Sequence, residues 1–437
     1  MSVGSPIQRL PVELLSRILQ SLVRPNGLPE HALVSKQWRH IAYHVQHELH
    51  LPDNLDLDPR RLVQILSPFI NLEKLILPSG SLTSASNIFF SRPADVCPHL
   101  TELRVEPMPR NAAIPPSIDR PTRLKNLTIE ARFTRLPDTL TSLHPLRSLV
   151  LNTYSLEDLL KDFGNLVSLT SLELQYCRLT SLPVSFGQLA ALSRLSLIHC
   201  VTLQLPVSLS KLSSLSVLNV RRCTLLPLSP VNYRRLQALE TLILVGLTGM
   251  RDFIAAFEHL QRVKTLTIRD SSDITSLPAS LPRLPALTNL TLDMPLLPVQ
   301  PDDFGQLSEL RTLVLDLMSL TALPDSIALV TTLRELSLNQ LLNLTHLPRE
   351  FGQLVALEKL CMKSLHQLTH LPESFGQLTT LRELKFLECR QLQRLPASLS
   401  QLSSLEYLEI NICPDLTSLP DDMGKRLNSL RHLLLLH

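Results

Sequence analysis

The sequence predicts an α/β solenoid: parallel strands lining a concave face, coiled with a period of 23–24 residues, behind a small all-α unit at the N-terminus. Three observations carry this prediction. A hexad with leucine at its first, fourth and sixth places recurs along most of the chain, its copies keep nearly constant spacing, and the first fifty residues lack it.

The hexads begin at Leu72, Leu100, Leu124, Leu146, Leu169, Leu192, Leu215, Leu239, Val263, Leu287, Leu310, Leu333, Leu357, Leu381, Leu405 and Leu430, about 16 repeats in all. After a first interval of 28 residues the spacing stays between 22 and 25. Within a copy, the alternation L-x-L is the period-2 signature of a strand with one buried face. The LPxSFGQL segment that follows returns the chain over the other side. One coil cannot cover its own leucines, but stacked coils bury them against each other. Pro183, Pro206, Pro278, Pro324, Pro348, Pro372, Pro396 and Pro420 recur just after a leucine, where a residue without an N–H ends strand pairing and opens the return segment.

Composition agrees with a packed repeat and excludes other classes. At 44% hydrophobic and 19% charged residues, the 437-residue chain has ample apolar surface to bury, and with only 4% aromatics the core must be aliphatic. A net charge of +3, spread along the chain, forms no basic stripe, so no nucleic acid is expected as a partner. No apolar run approaches the ~18 residues of a membrane span, so no membrane association is expected. MSVGSPIQRLPVELL has no apolar core of a secretory signal, and the cysteine count of seven is odd; together these suggest thiols in a reducing compartment, cytoplasmic and/or nuclear. The sequons at Asn126, Asn289 and Asn343 then read as chance matches.

Two columns of the repeat have structural readings. Cys177, Cys200, Cys223, Cys389 and Cys413 fall at the ninth place of their copies, where a small side chain can bond the backbone of the turn. A row of such thiols does not make the tetrahedron that zinc needs. In the late copies the pairs Arg334-Glu335, Glu358-Lys359, Arg382-Glu383, Glu406-Tyr407 and Arg431-His432 alternate in sign, so neighbouring strands set opposite charges side by side. Side chains facing outward around the middle strands, Tyr154, Tyr176, His199, Arg221, Arg222, Arg269, Asp270 and Asp293, are the candidates for binding a target protein.

These residues resemble the leucine-rich repeat family, in the form LxxLxLxxCxxLxxLPxxFGQL seen in plant intracellular immune receptors. The resemblance covers residues 72–437 and implies the solenoid fold, with little said about the ligand.

Residues 1–50 read differently. Leu10, Leu14, Leu15, Ile18, Leu19 and Leu22 make one helical stripe opened by Pro11, and a second stretch runs through Leu33, Val34, Trp38, Ile41, Ala42 and Val45. His40, His44, His47 and His50 follow at helical spacing and, without acidic or Cys partners at ligand spacing, read as a half-exposed helix face, not a metal site. A connector, residues 51–71, carries Pro52 and Pro59.

LPVELLSRIL…ALVSKQWRHIA resembles the F-box, with Leu10, Pro11, Glu13, Leu14, Leu15, Ile18, Leu22, Val34, Ser35, Trp38 and Ala42 at its expected places. Between the two ends, Arg24 to Glu30 carries Pro25, Gly27 and Pro29 in place of a leucine-containing helix. An F-box joined to leucine-rich repeats implies a substrate receptor of an SCF-type ubiquitin ligase, bound to a Skp-type adaptor and through it to a cullin. The residues implied at the adaptor are Leu10, Pro11, Leu14, Leu15, Ile18 and Val34; Trp38 either packs inside the unit or reaches the adaptor. The alternative is a repeat scaffold or effector in which residues 1–50 only cap the open end. No GxxxxGK[ST], GxGxxG, HExxH or GxSxG occurs, so neither catalytic residues nor a cofactor is expected and the chain reads as a non-enzyme.

Overall fold

The computed structural model describes residues 47–50, 66–67, 69–77, 97–105, 114, 118, 123–204, 207–223, 235–247, 259–271, 281–295 and 304–436. The helical stretch read as an F-box, with Leu10, Pro11, Leu14, Leu15, Ile18, Val34 and Trp38, lies outside the described residues, as does most of the connector. The chain divides into two compact units, residues 1–212 and 213–437.

The first unit contributes seven described strands: β1 (Glu48–His50), β2 (Lys74–Leu77), β3 (Glu102–Val105), β4 (Asn126–Glu130), β5 (Ser148–Asn152), β6 (Ser171–Gln175) and β7 (Arg194–Ile198). Consecutive strands pair in parallel, and their register lines up Leu49, Leu75, Leu103, Leu127, Leu149, Leu172 and Leu195 as one column. Every leucine of that column is at most 1% exposed. Since burying a leucine is worth roughly 1.5–3 kcal/mol, a one-residue slip, which turns a whole strand's leucines to solvent, is strongly disfavoured.

β1 is a departure from the sequence reading. His47 to His50 was expected on a helix face, yet Glu48–His50 is a strand paired to β2, so the described sheet includes a strand before the first leucine hexad. Its alternating H-E-L-H needs only Leu49 to point inward. Lys74 on β2 reaches both flanking strands, at 3.0 Å from Glu48 and 3.4 Å from Glu102. The hydrogen bond it donates to Glu48 is the main reason its ammonium is held above the usual lysine range.

The second unit contributes ten described strands: β8 (Val217–Arg221), β9 (Thr241–Val245), β10 (Thr265–Arg269), β11 (Asn289–Asp293), β12 (Thr312–Asp316), β13 (Glu335–Asn339), β14 (Lys359–Lys363), β15 (Glu383–Leu387), β16 (Tyr407–Asn411) and β17 (His432–Leu436). All are parallel to their neighbours, and the leucine column runs from Leu218 to Leu433. It is fully buried until β17, where Leu433 is 45% exposed.

The described return segments are mostly 3-10 turns, with one α-helical turn at Met423–Arg426. Among the described repeat residues, helix is scarce beside the parallel strands. Pro183, Pro324, Pro372 and Pro396 each sit in extended backbone just before a turn, and their carbonyls accept the N–H of its third residue. Phe163 stacks 6.2 Å from Phe186, and Phe351 stacks 6.0 Å from Phe375, building a buried aromatic spine behind the leucines.

The FG of the return segment has a steric cause. Ser185 Oγ accepts the Gly164 N–H at 3.2 Å and donates to the Lys161 carbonyl at 2.5 Å, tying one coil to the one before. Ser374 repeats this, accepting from Gly352 at 3.1 Å and donating to Arg349 at 2.6 Å. A Cβ on Gly164 or Gly352 would overlap the carbonyl oxygen of Ser185 or Ser374. Here glycine is required by close approach.

The alternating charges pair as the sequence predicts: Arg334 with Glu358 at 2.8 Å, Lys359 with Glu335 at 2.7 Å and Arg382 with Glu406 at 3.3 Å. These pairs are exposed and serve register more than stability.

Gly352→Ala should therefore lower the unfolding free energy by about 1–3 kcal/mol or more, measured by denaturant titration. Gly424, whose Cβ would meet nothing within 4 Å, is the control. Gly424→Ala should be neutral or stabilise by up to about 1 kcal/mol, and equal losses at the two sites would contradict the close-packing account.

Candidate functional site

Each repeat strand ends on a residue that leaves the sheet. After β6, β7, β8, β10 and β12 to β16 that residue has positive φ, from 49° at Leu317 to 57° at Glu388, although none of the nine is glycine. Its N–H still reaches the next strand: Tyr176 donates to the Ile198 carbonyl at 2.8 Å and Ser364 to Leu387 at 2.7 Å. The left-handed turn then drops the following side chain into the core, which is where the cysteine column sits. Cys200 Sγ donates to the Leu174 carbonyl at 3.5 Å and Cys389 to Met362 at 3.5 Å. Cys177 and Cys223 bond the carbonyl two residues back, at 3.6 and 3.3 Å. Ser271, fully buried, does the same to Arg269 at 3.2 Å, while Leu247, Leu341 and Leu365 fill the place by packing alone.

The left-handed residue itself stays at the rim of the strand face. In the first unit this puts three of the predicted target-binding residues together. Tyr176 lies 4.8 Å from Tyr154 with rings 25° apart, and 4.7 Å from His199 with rings 12° apart. Those spacings match the ~4.7–4.9 Å between strands, so the sheet itself stacks the rings. Tyr154 arrives by a different route: Thr153 takes the buried place directly after β5, donating from Oγ1 to the Phe133 carbonyl at 3.2 Å, and Tyr154 follows, 50% exposed. Arg132, which the sequence reading missed, lies over the Tyr154 ring at 5.4 Å and caps the stack with a cation. The signal was its position after β4 equivalent to that of Tyr154 after β5.

In the second unit, Arg269, Asp293 and Asp316 occupy the same register position on β10, β11 and β12. Arg269 Nε is 3.5 Å from Asp293 Oδ2 and its Nη2 3.2 Å from Asp316 Oδ2. One guanidinium thus serves two carboxylates. Both Oδ1 atoms are buried with no hydrogen-bond partner among the described residues. Asp293, expected outward and exposed, is 6% exposed, because Arg269 and Asp316 close over it from the flanking strands. Burial first, and the Asp316 charge second, raise its pKa above the usual carboxylate range.

The remaining candidates stay local. Arg221 Nε donates to Asn219 Oδ1 at 3.0 Å. Arg222 and Asp270 are both left-handed, with Gly246 between them at φ 62°. A Cβ on Gly246 would come within 2.9 Å of Arg222 Cγ and 3.5 Å of Asp270 Oδ2. Among the described residues no group of three His, Cys, Asp or Glu side chains is placed to hold a metal, and no helix is long and apolar enough to cross a membrane. His47 pairs instead with Glu73, Nδ1 to Oε1 at 3.4 Å.

Residues 124–339 match the family model described as a leucine-rich repeat region, so the chain carries such a region, stacked as a repeat solenoid. No curated protein matches the chain. A leucine-rich repeat protein of Leptospira interrogans superposes with TM-score 0.59 at 22% identity, covering 94% of this chain and 100% of that one. The functional domain of InlJ from Listeria monocytogenes, which includes a cysteine ladder, gives TM-score 0.52 at 21% identity over 74% of this chain and 65% of that one. TLR13 in its complex with ssRNA13 gives 0.54 at 16% identity over 86% and 59%. At these identities the likeness is one of fold.

The Asp293 environment makes a pH prediction. With its folded pKa raised, the native state binds this proton more tightly than the unfolded chain, so the contribution is fully present below the unfolded value of about 3.9 and is lost as pH rises through the folded value. Asp293→Asn should remove that dependence, leaving the variant relatively more stable than the parent at pH 7 than at pH 4 in paired thermal melts. A stability difference independent of pH would contradict the assignment.

Proposed function

We propose that this chain is the target-recognition subunit of an SCF-type ubiquitin ligase. The observation that supports this reading is the resemblance of Leu10-Pro11 through Trp38 to the F-box, placed ahead of a leucine-rich repeat region. Leu10, Pro11, Leu14, Leu15, Ile18 and Val34 present the apolar face for a Skp-type adaptor, which brings a cullin; Trp38 braces that face or joins it. The strand face holds a target protein, with the Tyr154, Tyr176 and His199 stack as its anchor in the first unit and Arg221, Arg222, Arg269 and Asp270 as the polar set in the second. Rigid aromatic surface near a cation is the composition that dominates interface energetics.

The chain itself performs no chemistry in this reading. It raises the effective concentration of a target lysine near the charged conjugating enzyme, which converts an encounter into an intramolecular step. It needs no cofactor and works in the cytoplasm, the nucleus or both.

A second reading, a repeat scaffold or effector binding a signalling protein, draws on β1. β1 joins the end of residues 1–50 to the sheet, and in this reading those residues only cap the open end and need no adaptor.

A pull-down of the tagged full chain from cells separates the two. The ligase reading expects the Skp adaptor and a cullin in the parent, loss of both in the double variant Leu14→Asp with Leu15→Asp, and retention of both in Tyr176→Ala while the target weakens about tenfold or more. A parent that recovers neither would sink it. A chain starting at His47, which keeps β1, should stay soluble if residues 1–46 are an adaptor module and aggregate if they are a cap.

A further inference from the structure

We propose that Cys389 and Cys413 are a peroxide-responsive dithiol that closes to a disulfide between consecutive coils of the second unit. The inference does not rest on the ligase reading.

The two thiols occupy the same place in successive repeats, each behind a left-handed residue, Glu388 at φ 57° and Ile412 at φ 53°. Their strands β15 and β16 are paired in register. Adjacent strands lie ~4.7–4.9 Å apart, within the ~4.4–6.8 Å between Cα atoms that a disulfide spans. The neighbouring Cys389 thiol is the first cause that holds Cys413 down to about 7 against the opposing effect of burial, while Cys413, with burial added, holds Cys389 well above the ordinary thiol range.

Access distinguishes this pair from the rest of the column. A cavity of about 170 Å³ lined by Ile410, Cys413, Leu416, Leu419, Leu435 and Leu436 reaches Cys413 beside β17, where the leucine column is exposed. Cys177 and Cys200 hold the equivalent places in the first unit at 2% and 0% exposure, and neither lines that cavity. They form a control with the same geometry and no opening.

The reaction balances with hydrogen peroxide as oxidant. The Cys413 thiolate attacks one peroxide oxygen; the O–O bond breaks, a sulfenic acid forms on Cys413, and hydroxide leaves. Cys389 then loses its proton and attacks the Cys413 sulfur; the S–S bond forms and the sulfenic oxygen departs as water. Overall two thiols lose two electrons and two protons, and one peroxide becomes two waters.

The test treats the purified, reduced full chain with limiting hydrogen peroxide under native conditions, alkylates the remaining thiols in denaturant and maps tryptic peptides by mass spectrometry. Peptides 386–390 and 395–425 should appear cross-linked and two hydrogens lighter than their sum, while Cys177 and Cys200 stay alkylated. In Cys389→Ser, whose fold is checked by circular dichroism, a dimedone-type probe should trap sulfenic acid on Cys413. Oxidation of Cys177 and Cys200 to the same extent, or sulfinic acid on Cys413 in the parent with Cys389 still alkylated, would overturn the proposal. So would full alkylation of both members of the pair after treatment.

Discussion

A coil of this protein cannot bury its own leucines. Each inward side chain is covered by the coil before and the coil after, so the structure depends on neighbour contacts in strict register. In interior coils the constraint is fully met: Leu169, Leu172 and Leu174 of one copy are all 0% exposed. At β17 it is met on one side only, and Leu433 to Leu436 are 41–51% exposed. The serine bridges, the left-handed turns and the sulfur bonds all hold successive coils at one spacing.

That spacing also shapes the strand face. The tyrosine, tyrosine, histidine stack exists because rings at equivalent places must sit one strand apart, and Arg269 reaches two aspartates because β11 and β12 present them in register beside it. The ring stack is an interaction that a partner can use as it stands. The acidic pair is a different object, with two buried oxygens lacking donors, and the protonation of Asp293 is tied to the stability of the second unit.

Much of the repeat was legible in the sequence because its signal is redundant. Sixteen leucine hexads report one strand type, and the cysteine column and alternating charges sit where their spacing placed them. The left-handed residue was not legible, since Tyr176, His199, Arg222, Asp270 and Gln340 share no chemistry and only Gly246 carries a composition cue. Its identity is free because the backbone, held by its N–H on one side and the buried ninth residue on the other, imposes the conformation. β1 was missed because three residues with one leucine are too short to score as a period. The burial of Asp293 was missed because alternation tells which face a residue is on, not whether Arg269 closes over it. The aromatic stack was half legible: the three rings were candidates, but their mutual contact required the register.

Amide hydrogen exchange resolved along the chain tests the neighbour-dependence most directly. The account predicts slow exchange at interior strand amides and equally slow exchange at the left-handed N–H groups of Gln340 and Ser364, which donate to the next strand at 2.8 and 2.7 Å. Protection should then fall at β17, whose leucines are covered on one side. Fast exchange at Gln340 and Ser364, or a β17 as protected as β14, would contradict it.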